Sequence, residues 1–522
     1  MSFLSKLLEY YHLTLKDLDS RKELGSFCCL KRPECPSFIA LCDRLAKAIK
    51  NKEKTVIYGD YDVDGISATA ILKIALDELG INPGFFIPSR YHEGYGLNAG
   101  RVEEFHQKGY HLIIAVDNGV SSSLAIHKAK ELGMDVLVID HHEIPRELPE
   151  YDFLFHPMDF LDYNCSAASL CYFVANRLLA RDDEYLAFLA GLSAFSDVMP
   201  LIGNNLVFAK MILPLLQKNR FLNFMPFFSA SEINYEDINF RIIPSLNAPG
   251  RILTDSLSPN QVCRFLLERS DIVKIRKLHQ FLNDTNVKRK SLVQYASFDD
   301  RMTLSSAHAM VLKSDCLSGL SGLLANRLMK QNDKCICVCI QSDLKSDELV
   351  LSFRVPDGYN LDSFFLKYGY LFLSHGGHAK AAGGTILVSK YFQMATMFIS
   401  ECEKMSLEMK KEERKSIDIV MDDLTYANYQ IYQQFMPFGE GFPKPLFHIS
   451  FNPEELKFST SGKMAYVSNR DVTSRIVFFD KINELRNCKD EILASEGYLQ
   501  ISDFNSRRTI EIVAENICKN NS

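Results

Sequence analysis

Short apolar runs alternate with stretches of helical period over the first part of the chain. TVIY (55–58), residues 84–88, HLIIAV (111–116) and DVLVI (135–139) predict strands. Between them, Ala68, Leu72, Ala75 and Leu79 share one face of a predicted helix that Gly80 stops, and 122–132 predicts another. Upstream, Ser37 is placed to cap a helix carrying Phe38, Leu41, Leu45 and Ile49. A helix near 166–180 precedes the apolar stretch LAFLAGLSAFSDVMPL, which contains Asp197. Strands alternating with helices imply right-handed crossovers and a mostly parallel sheet. Such sheets bind ligands beyond the carboxyl ends of their strands.

Later the pattern changes twice. Residues 201–300 are largely helical and charged, and QVCRFLLERSDIVKIRKLHQFLNDTNVKRKSLVQYA predicts one long helix linking two halves. Residues 307–400 read as mixed strand and helix, and ECEKMSLEMKKEERK (401–415) as a charged linker. From Ser416 the short strands SIDIV, LFHISF, MAYVSN, RIVFFD and RRTIEIVAE suggest a small β-barrel, with an OB-fold as one candidate. The expected segments are 1–50, 51–200, 201–300, 301–415 and 416–522.

The candidate chemistry lies at strand ends. After Gly59, Asp60, Asp62 and Asp64 alternate, and in an extended segment residues two apart point the same way. Three carboxylates facing one volume repel unless cations neutralise them, and hard divalent cations take such ligands. An acidic surface turn is the plain alternative, since Asp-Gly is ordinary turn chemistry. The second long strand ends in Asp117, Asn118 and Gly119, and the third in Asp140, His141 and His142. Three such ends on one edge, with Asp197 able to join them, favour a metal site. His141 and His142 are adjacent and point different ways, so one can ligate while the other faces a substrate. SHGGHAKAAGG (374–384) combines glycines that permit close backbone approach with phosphate-binding donors.

The 522 residues exceed one core and suggest three or four domains. The net charge of −6 counts weakly against nucleic acid, because carboxylates gathered at a metal site inflate the acidic total. No apolar run approaches the roughly 18 residues of a membrane helix, and the N-terminus is too charged for a secretory signal. Fourteen cysteines lack paired zinc spacing, and Cys335, Cys337 and Cys339 alternate as in a buried strand. A soluble protein of the reducing cytoplasm is expected.

GDYDVDG, AVDNG, VIDHH and SDVMPL, in this order, resemble the four motifs of the DHH phosphoesterase superfamily. SHGGHAKAAGG resembles the signature of its DHH-associated domain. RYHEGYGLN, NAPGRI and FGEGFPKPLF narrow the resemblance to the RecJ single-strand-specific exonucleases, from about residue 38 onward. The chain departs from that pattern at Cys316 and Leu317, where Trp-His is usual, at Phe442, where Asn is frequent, and at the added Lys380. The resemblance implies an α/β fold: a parallel-sheet DHH domain, a long helix, a DHH-associated α/β domain and a C-terminal OB-like β-barrel. It implies two Mn²⁺ or Mg²⁺ ions between Asp62, Asp64, Asp117, His141 and Asp197, with Asp60 and His142 in supporting or substrate-facing catalytic roles. Arg90, Tyr95, Arg251, Ser352, Arg354, His375, Gly376, Gly377 and His378 are the implied substrate-binding residues. Arg354, with Ser352 and Arg90, is the candidate reader of a terminal 5′-phosphate, against the alternative that it pairs with Asp357. The implied activity is 5′ to 3′ degradation of single-stranded DNA to mononucleotides in repair and recombination. A single-strand-binding protein and a helicase are candidate partners, no membrane is involved, and a monomer is expected.

The alternative is a DHH phosphodiesterase acting on short oligonucleotides or cyclic dinucleotides, but those relatives lack a C-terminal β-domain. Family II pyrophosphatases lack the SHGGHAKAAGG region. A non-catalytic scaffold is disfavoured by the intact acidic cluster.

Overall fold

The structure is a computed structural model. It describes residues 1–94, 96–145, 149, 151–228, 233–252, 258–342, 345–408, 415–460, 462–479, 482–487, 493–504 and 507–519. The chain divides into two compact units. One comprises Arg32–Asp197 and Ile212–Lys411, the other Met1–Lys31, Val198–Met211 and Glu412–Ser522.

The larger unit holds two sheets. The first contains β1 (Thr55–Tyr58), β2 (Gly84–Phe86), β3 (Leu112–Val116), β4 (Asp135–Ile139) and β5 (Phe153–Phe155), in the order β2-β1-β3-β4-β5. Every pairing is parallel. Helices cover the sheet, so β1 and β3 are buried at every position, as their unbroken apolar runs require. On one face Val56, Tyr58, Ile113, Ala115, Val136 and Val138 pack with Val102, Phe105 and Ile126 of the helices Ala99–Gln107 and Ser123–Glu131.

Three local expectations change. The helix Pro36–Asn51 begins two residues earlier, with Cys35 as N-cap and Pro36 in its first turn; Ser37 donates instead to Asp159 at 2.5 Å. β5 was not foreseen, because three residues carry no periodicity. The long helix is two, Ser258–Leu267 and Ile272–Gln294. Glu268 accepts the amides of Ser270 and Asp271, and Asp271 caps the second helix through the amides of Val273 and Lys274, so polar side chains at the junction favour a turn.

The second sheet contains β6 (Leu304–Ser305), β7 (Ala309–Ser314), β8 (Cys335–Gln341), β9 (Glu348–Arg354), β10 (Ser374–His378) and β11 (Ala381–Leu387), ordered β10-β11-β9-β8-β7-β6. Only β7 and β8 pair in parallel. Cys335, Cys337 and Cys339 share one core with Leu351 and Phe353. Ile336, Val338 and Ile340 face the other way, onto Leu324 and Ala325 of the helix Ser321–Asn332. Both faces of β8 are therefore buried, as CICVCIQ suggests.

The smaller unit carries a seven-stranded sheet. Its strands are β12 (Ile417–Ile419), β13 (Phe447–Phe451), β14 (Lys457–Phe458), β15 (Ala465–Ser468), β16 (Ser474–Phe478), β17 (Leu493–Phe504) and β18 (Arg507–Lys519). They run in the order β12-β13-β17-β18-β16-β15-β14. The N-terminal helices Phe3–Tyr10 and Leu15–Glu23 complete its core: Phe3, Leu7 and Leu18 join Phe447, Ile449 and Ile512. The departure at Phe442 has a physical partner here. Its ring stacks on Tyr11 at 4.2 Å, and the Arg21 guanidinium lies 3.8 Å from its centroid. Arg21 also donates to the carbonyls of Phe435 and Pro437. Among the described residues no helix is long and apolar enough to cross a membrane.

Candidate metal centre

Each acidic strand end is folded by its own local chemistry. After β1, Asp62 caps the helix Val63–Glu78, accepting the amides of Asp64 and Gly65 at 3.0 and 3.3 Å. Asp64 therefore lies in a helical first turn, and the alternation expected for an extended segment stops at Asp62. Asp64 is fixed instead by a second helix N-terminus. Its Oδ2 accepts the Ala167 amide at 2.8 Å, and its Oδ1 accepts the Ala168 amide at 2.7 Å and the Ser193 hydroxyl at 2.6 Å. After β3, Asp117 takes a left-handed backbone (φ 61°), which short polar residues tolerate. After β4, Asp140 ties two loops together: its Oδ2 accepts the Val120 amide, and its Oδ1 accepts the His141 and His142 amides and His142 Nδ1. Asp197 follows the last turn of the helix Glu184–Ser196.

These side chains meet in three overlapping groups, each with ligand atoms within 4.8 Å of one another: Asp60, Asp62 and Asp117; Asp64, His141 and Asp197; and Asp117, His141 and His142. Asp117 and His141 each belong to two groups, as residues shared between neighbouring cations would. His141 Nε2 lies 3.5 Å from Asp64, 3.2 Å from Asp117 and 3.4 Å from Asp197. That nitrogen and Asp60 Oδ1 are buried, and among the described residues neither has a hydrogen-bond partner. Buried polar atoms aimed into a carboxylate-lined space fit hard divalent cations, which take oxygen and imidazole donors.

The electrostatics agree. Burial, reinforced by neighbouring carboxylates, pushes the carboxyls of Asp60, Asp117 and Asp197 well above their ordinary range. Burial also raises Asp64 and lowers His141. Burial works against the charge on Asp140 too, but the hydrogen bond and charge of His142 outweigh it and hold the carboxyl at about 2. The same pairing overcomes burial at His142 and lifts it to about 9.

The expected substrate residues occupy three places. The Arg90 guanidinium lies over the Tyr61 ring, 4.6 Å from its centroid, beside the acidic loop. Arg251 adjoins the same region, where burial and the nearby Arg90 charge pull it down to about 10. Its carbonyl accepts the Tyr91 hydroxyl at 2.8 Å. Tyr95 lies outside the described residues. Ser352 and Arg354 stand on β9: Ser352 bonds Ser321 at 2.7 Å, and Arg354 Nη1 donates to the Phe353 carbonyl. A Cβ on Gly322 would fall 2.7 Å from Arg354 Nη2, so that glycine makes room for the guanidinium. Asp357 pairs with Lys380 at 2.6 Å, and among the described residues Arg354 has no ion pair. His375, Gly376, Gly377 and His378 form the exposed edge strand β10, with His375 stacked on Phe365 at 4.8 Å. Among the described residues none of the four bonds to the acidic cluster.

Several supporting residues escape sequence reasoning. Ser193 hides in an apolar helix, and Asn164, whose amide nitrogen is 3.2 Å from His141 Nδ1, sits in a plain loop. His156 Nε2 donates to the His142 carbonyl at 3.0 Å from the end of the unforeseen β5. Asn247 accepts the Val63 amide at 3.1 Å, and a Cβ on Gly250 would intrude on the Tyr61 carbonyl oxygen. NAPGRI thus buttresses the acidic loop, a contact spanning far too much sequence for local pattern to reveal.

Comparison with known proteins gives a consistent assignment. A family model described as the DHH family, N-terminal domain, matches residues 54–194, and one described as the RecJ OB domain matches residues 417–516. Two relatives are single-stranded-DNA-specific exonucleases RecJ. That of Bacillus subtilis is 27% identical over 77% of this chain, and that of Escherichia coli 26% identical over 77%. The chain spans about half (52%) of the Bacillus protein and 76% of the Escherichia one. The crystal structure of RecJ in complex with Mn²⁺ from Thermus thermophilus superposes with a TM-score of 0.78 at 21% identity, covering 99% of this chain and 78% of that one. A crystal structure of exonuclease RecJ bound to manganese gives 0.59 at 23% identity, covering 73% of this chain and 98% of the other.

Proposed function

We propose, for a chain that belongs to the DHH family and carries a RecJ OB domain, a metal-dependent exonuclease that hydrolyses single-stranded DNA from its 5′ end to mononucleotides. The convergence of Asp60, Asp62, Asp64, Asp117, His141, His142 and Asp197 carries this reading. The specificity of the curated relatives for single-stranded DNA supports the substrate.

Asp62, Asp64, Asp117, His141 and Asp197 would hold two Mn²⁺ or Mg²⁺ ions, the ions bound in the Thermus structures. Bound there, such ions supply an activated water at neutral pH and neutralise charge on the phosphodiester. The protein supplies the rest. Backbone amides and Ser193 hold Asp64 in one rotamer. Asp140 takes His142 Nδ1 and fixes the orientation of that ring. So oriented, His142 can donate a hydrogen bond to an oxygen of the scissile phosphate. Arg90 and Arg251 add positive charge beside the acidic loop.

Arg354, with Ser352, reads the terminal 5′-phosphate. A terminal phosphate carries more charge than an internal one, and a guanidinium without a carboxylate partner suits it. Tyr91 supports the link between the halves of this unit, because its hydroxyl also accepts the Gly319 amide, two residues before the helix that carries Gly322. His375, Gly376, Gly377 and His378 offer donors and close backbone approach along the strand.

Repair and recombination in the cytoplasm, a monomeric state, and a single-strand-binding protein and a helicase as partners belong to the same reading. Every described cysteine is a free thiol, which suits a reducing compartment. The test is a Mn²⁺-dependent assay on labelled single strands, dinucleotides and pyrophosphate side by side. Preferential hydrolysis of the long single strands is expected; turnover confined to dinucleotides or pyrophosphate would refute the assignment.

A further inference from the structure

The turn that divides Ser258–Leu267 from Ile272–Gln294 opens a groove of about 690 Å³ between the two helices. Its floor is apolar: Leu267 from the first helix, with Leu278 and Phe281 from the second. Arg264, Lys274 and Lys277 line it as well. The spacing is helical, so Lys277, Leu278 and Phe281 fall on one face. Glu268 is the single carboxylate in the lining, and its charge is already engaged. It accepts the Ser270 and Asp271 amides and the Ser270 hydroxyl, and those bonds hold its carboxyl below the usual range. Lys274 lies 3.4 Å from Asp271, but among the described residues neither Arg264 nor Lys277 has an ion pair.

We propose that this groove docks an acidic amphipathic peptide segment of a partner protein. The lining presents two unpaired cations over an apolar floor on a chain whose net charge is −6. An occupant must match both features: apolar side chains for Leu267, Leu278 and Phe281, and carboxylates for Arg264 and Lys277. A helix laid between two helices meets this requirement with anchors at i, i+3 or i+4, and i+7. A single nucleic-acid strand suits the groove less well. Such strands stack successive bases on aromatic rings, and the floor offers one ring among aliphatic side chains. The groove shares no residue with the acidic cluster or with the residues assigned to the substrate.

The test uses the full chain and a fluorescein-labelled synthetic helical peptide with Leu and Phe at i, i+3 and i+7 and Glu elsewhere, followed by anisotropy. Saturable binding with a Kd of roughly 10 μM, weakening with salt, is expected. The double variant Arg264→Glu, Lys277→Glu changes only exposed groups, so it folds, and it should weaken binding about ten-fold. Leu278→Asp should abolish binding, and a peptide with Lys in place of Glu should not bind the wild type. Hydrolysis of a short single strand should be unchanged in the double variant. Equal affinity of wild type and double variant for the acidic peptide would overturn the proposal. So would a ten-fold loss of oligo-dT binding in the double variant with peptide binding intact, which would give the groove to nucleic acid.

Discussion

Gly250→Ala isolates the link between the helix Ile243–Arg251 and the acidic loop. The new Cβ would press on the Tyr61 carbonyl oxygen, with the carbonyl carbon and Cβ of Tyr61 both at 3.3 Å. Ordinary apolar contact lies near 4 Å, so the loop must retreat by roughly 1 Å. Both sides of the clash are backbone or buried, because Gly250 lies within a helix that Asn247 also ties to Val63. Two terms set stability. Overpacking costs about 1–3 kcal/mol, while Ala in place of Gly in a helix returns about 1 kcal/mol. The net change is small, so the melting temperature should fall by only a few degrees. Activity has no such compensation. Asp60 and Asp62 flank Tyr61, and a misplacement of about 1 Å in a catalytic array costs on the order of 100-fold. Mn²⁺-dependent hydrolysis of a labelled single strand should therefore drop about 100-fold in kcat/KM, and the Mn²⁺ concentration for half-maximal rate should rise. A kcat/KM within about three-fold of wild type, with an unchanged Mn²⁺ midpoint, would refute the idea that this glycine sets the metal loop.

Three other outcomes follow from the same geometry. Asp60, Asp117 and Asp197 have raised folded-state values, so their contribution to stability is present below about pH 4 and is lost as pH rises through those values; urea titrations of metal-free protein should show stability falling with pH above that point, Asp117→Asn should reduce the slope, and added Mn²⁺ should flatten it. Arg354→Ala should lower the specificity constant on 5′-phosphorylated strands about 30- to 150-fold, the loss of about 2–3 kcal/mol of charge-assisted contact, and much less on 5′-hydroxyl strands; equal losses on both would remove Arg354 from end recognition. In the smaller unit, the combined Tyr426→Ala and Arg508→Glu variant, altering an exposed ring and a cation that line one groove, should weaken binding of long strands and spare dinucleotide cleavage; equal effects on both would make that groove structural.

What the sequence revealed depended on how local the cause was. β1 and β3 are buried at every position and β4 from Val136 onward, and their acidic ends could be read directly. The geometry behind Asp64 could not. Its partners Ala167, Ala168 and Ser193 are more than a hundred residues away, and two of them offer only backbone amides. The divided helix at 268–271 was missed because its apolar period continues through the break, and the capping by Glu268 and Asp271 outweighs it. Removing residues 416–522 would also strip Phe3, Leu7 and Leu18 of their core, so point variants test the β-domain more cleanly.

The central claim, that the clustered aspartates and histidines cleave single strands from the 5′ end, is tested most directly by one time course. A single-stranded oligonucleotide labelled at either its 5′ or its 3′ end is incubated with Mn²⁺ and with wild type or Asp117→Ala. Wild type should release 5′-labelled mononucleotide in the first turnovers and 3′ label only last, and Asp117→Ala should release neither. Early release of the 3′ label, or activity in Asp117→Ala within severalfold of wild type, would contradict the account.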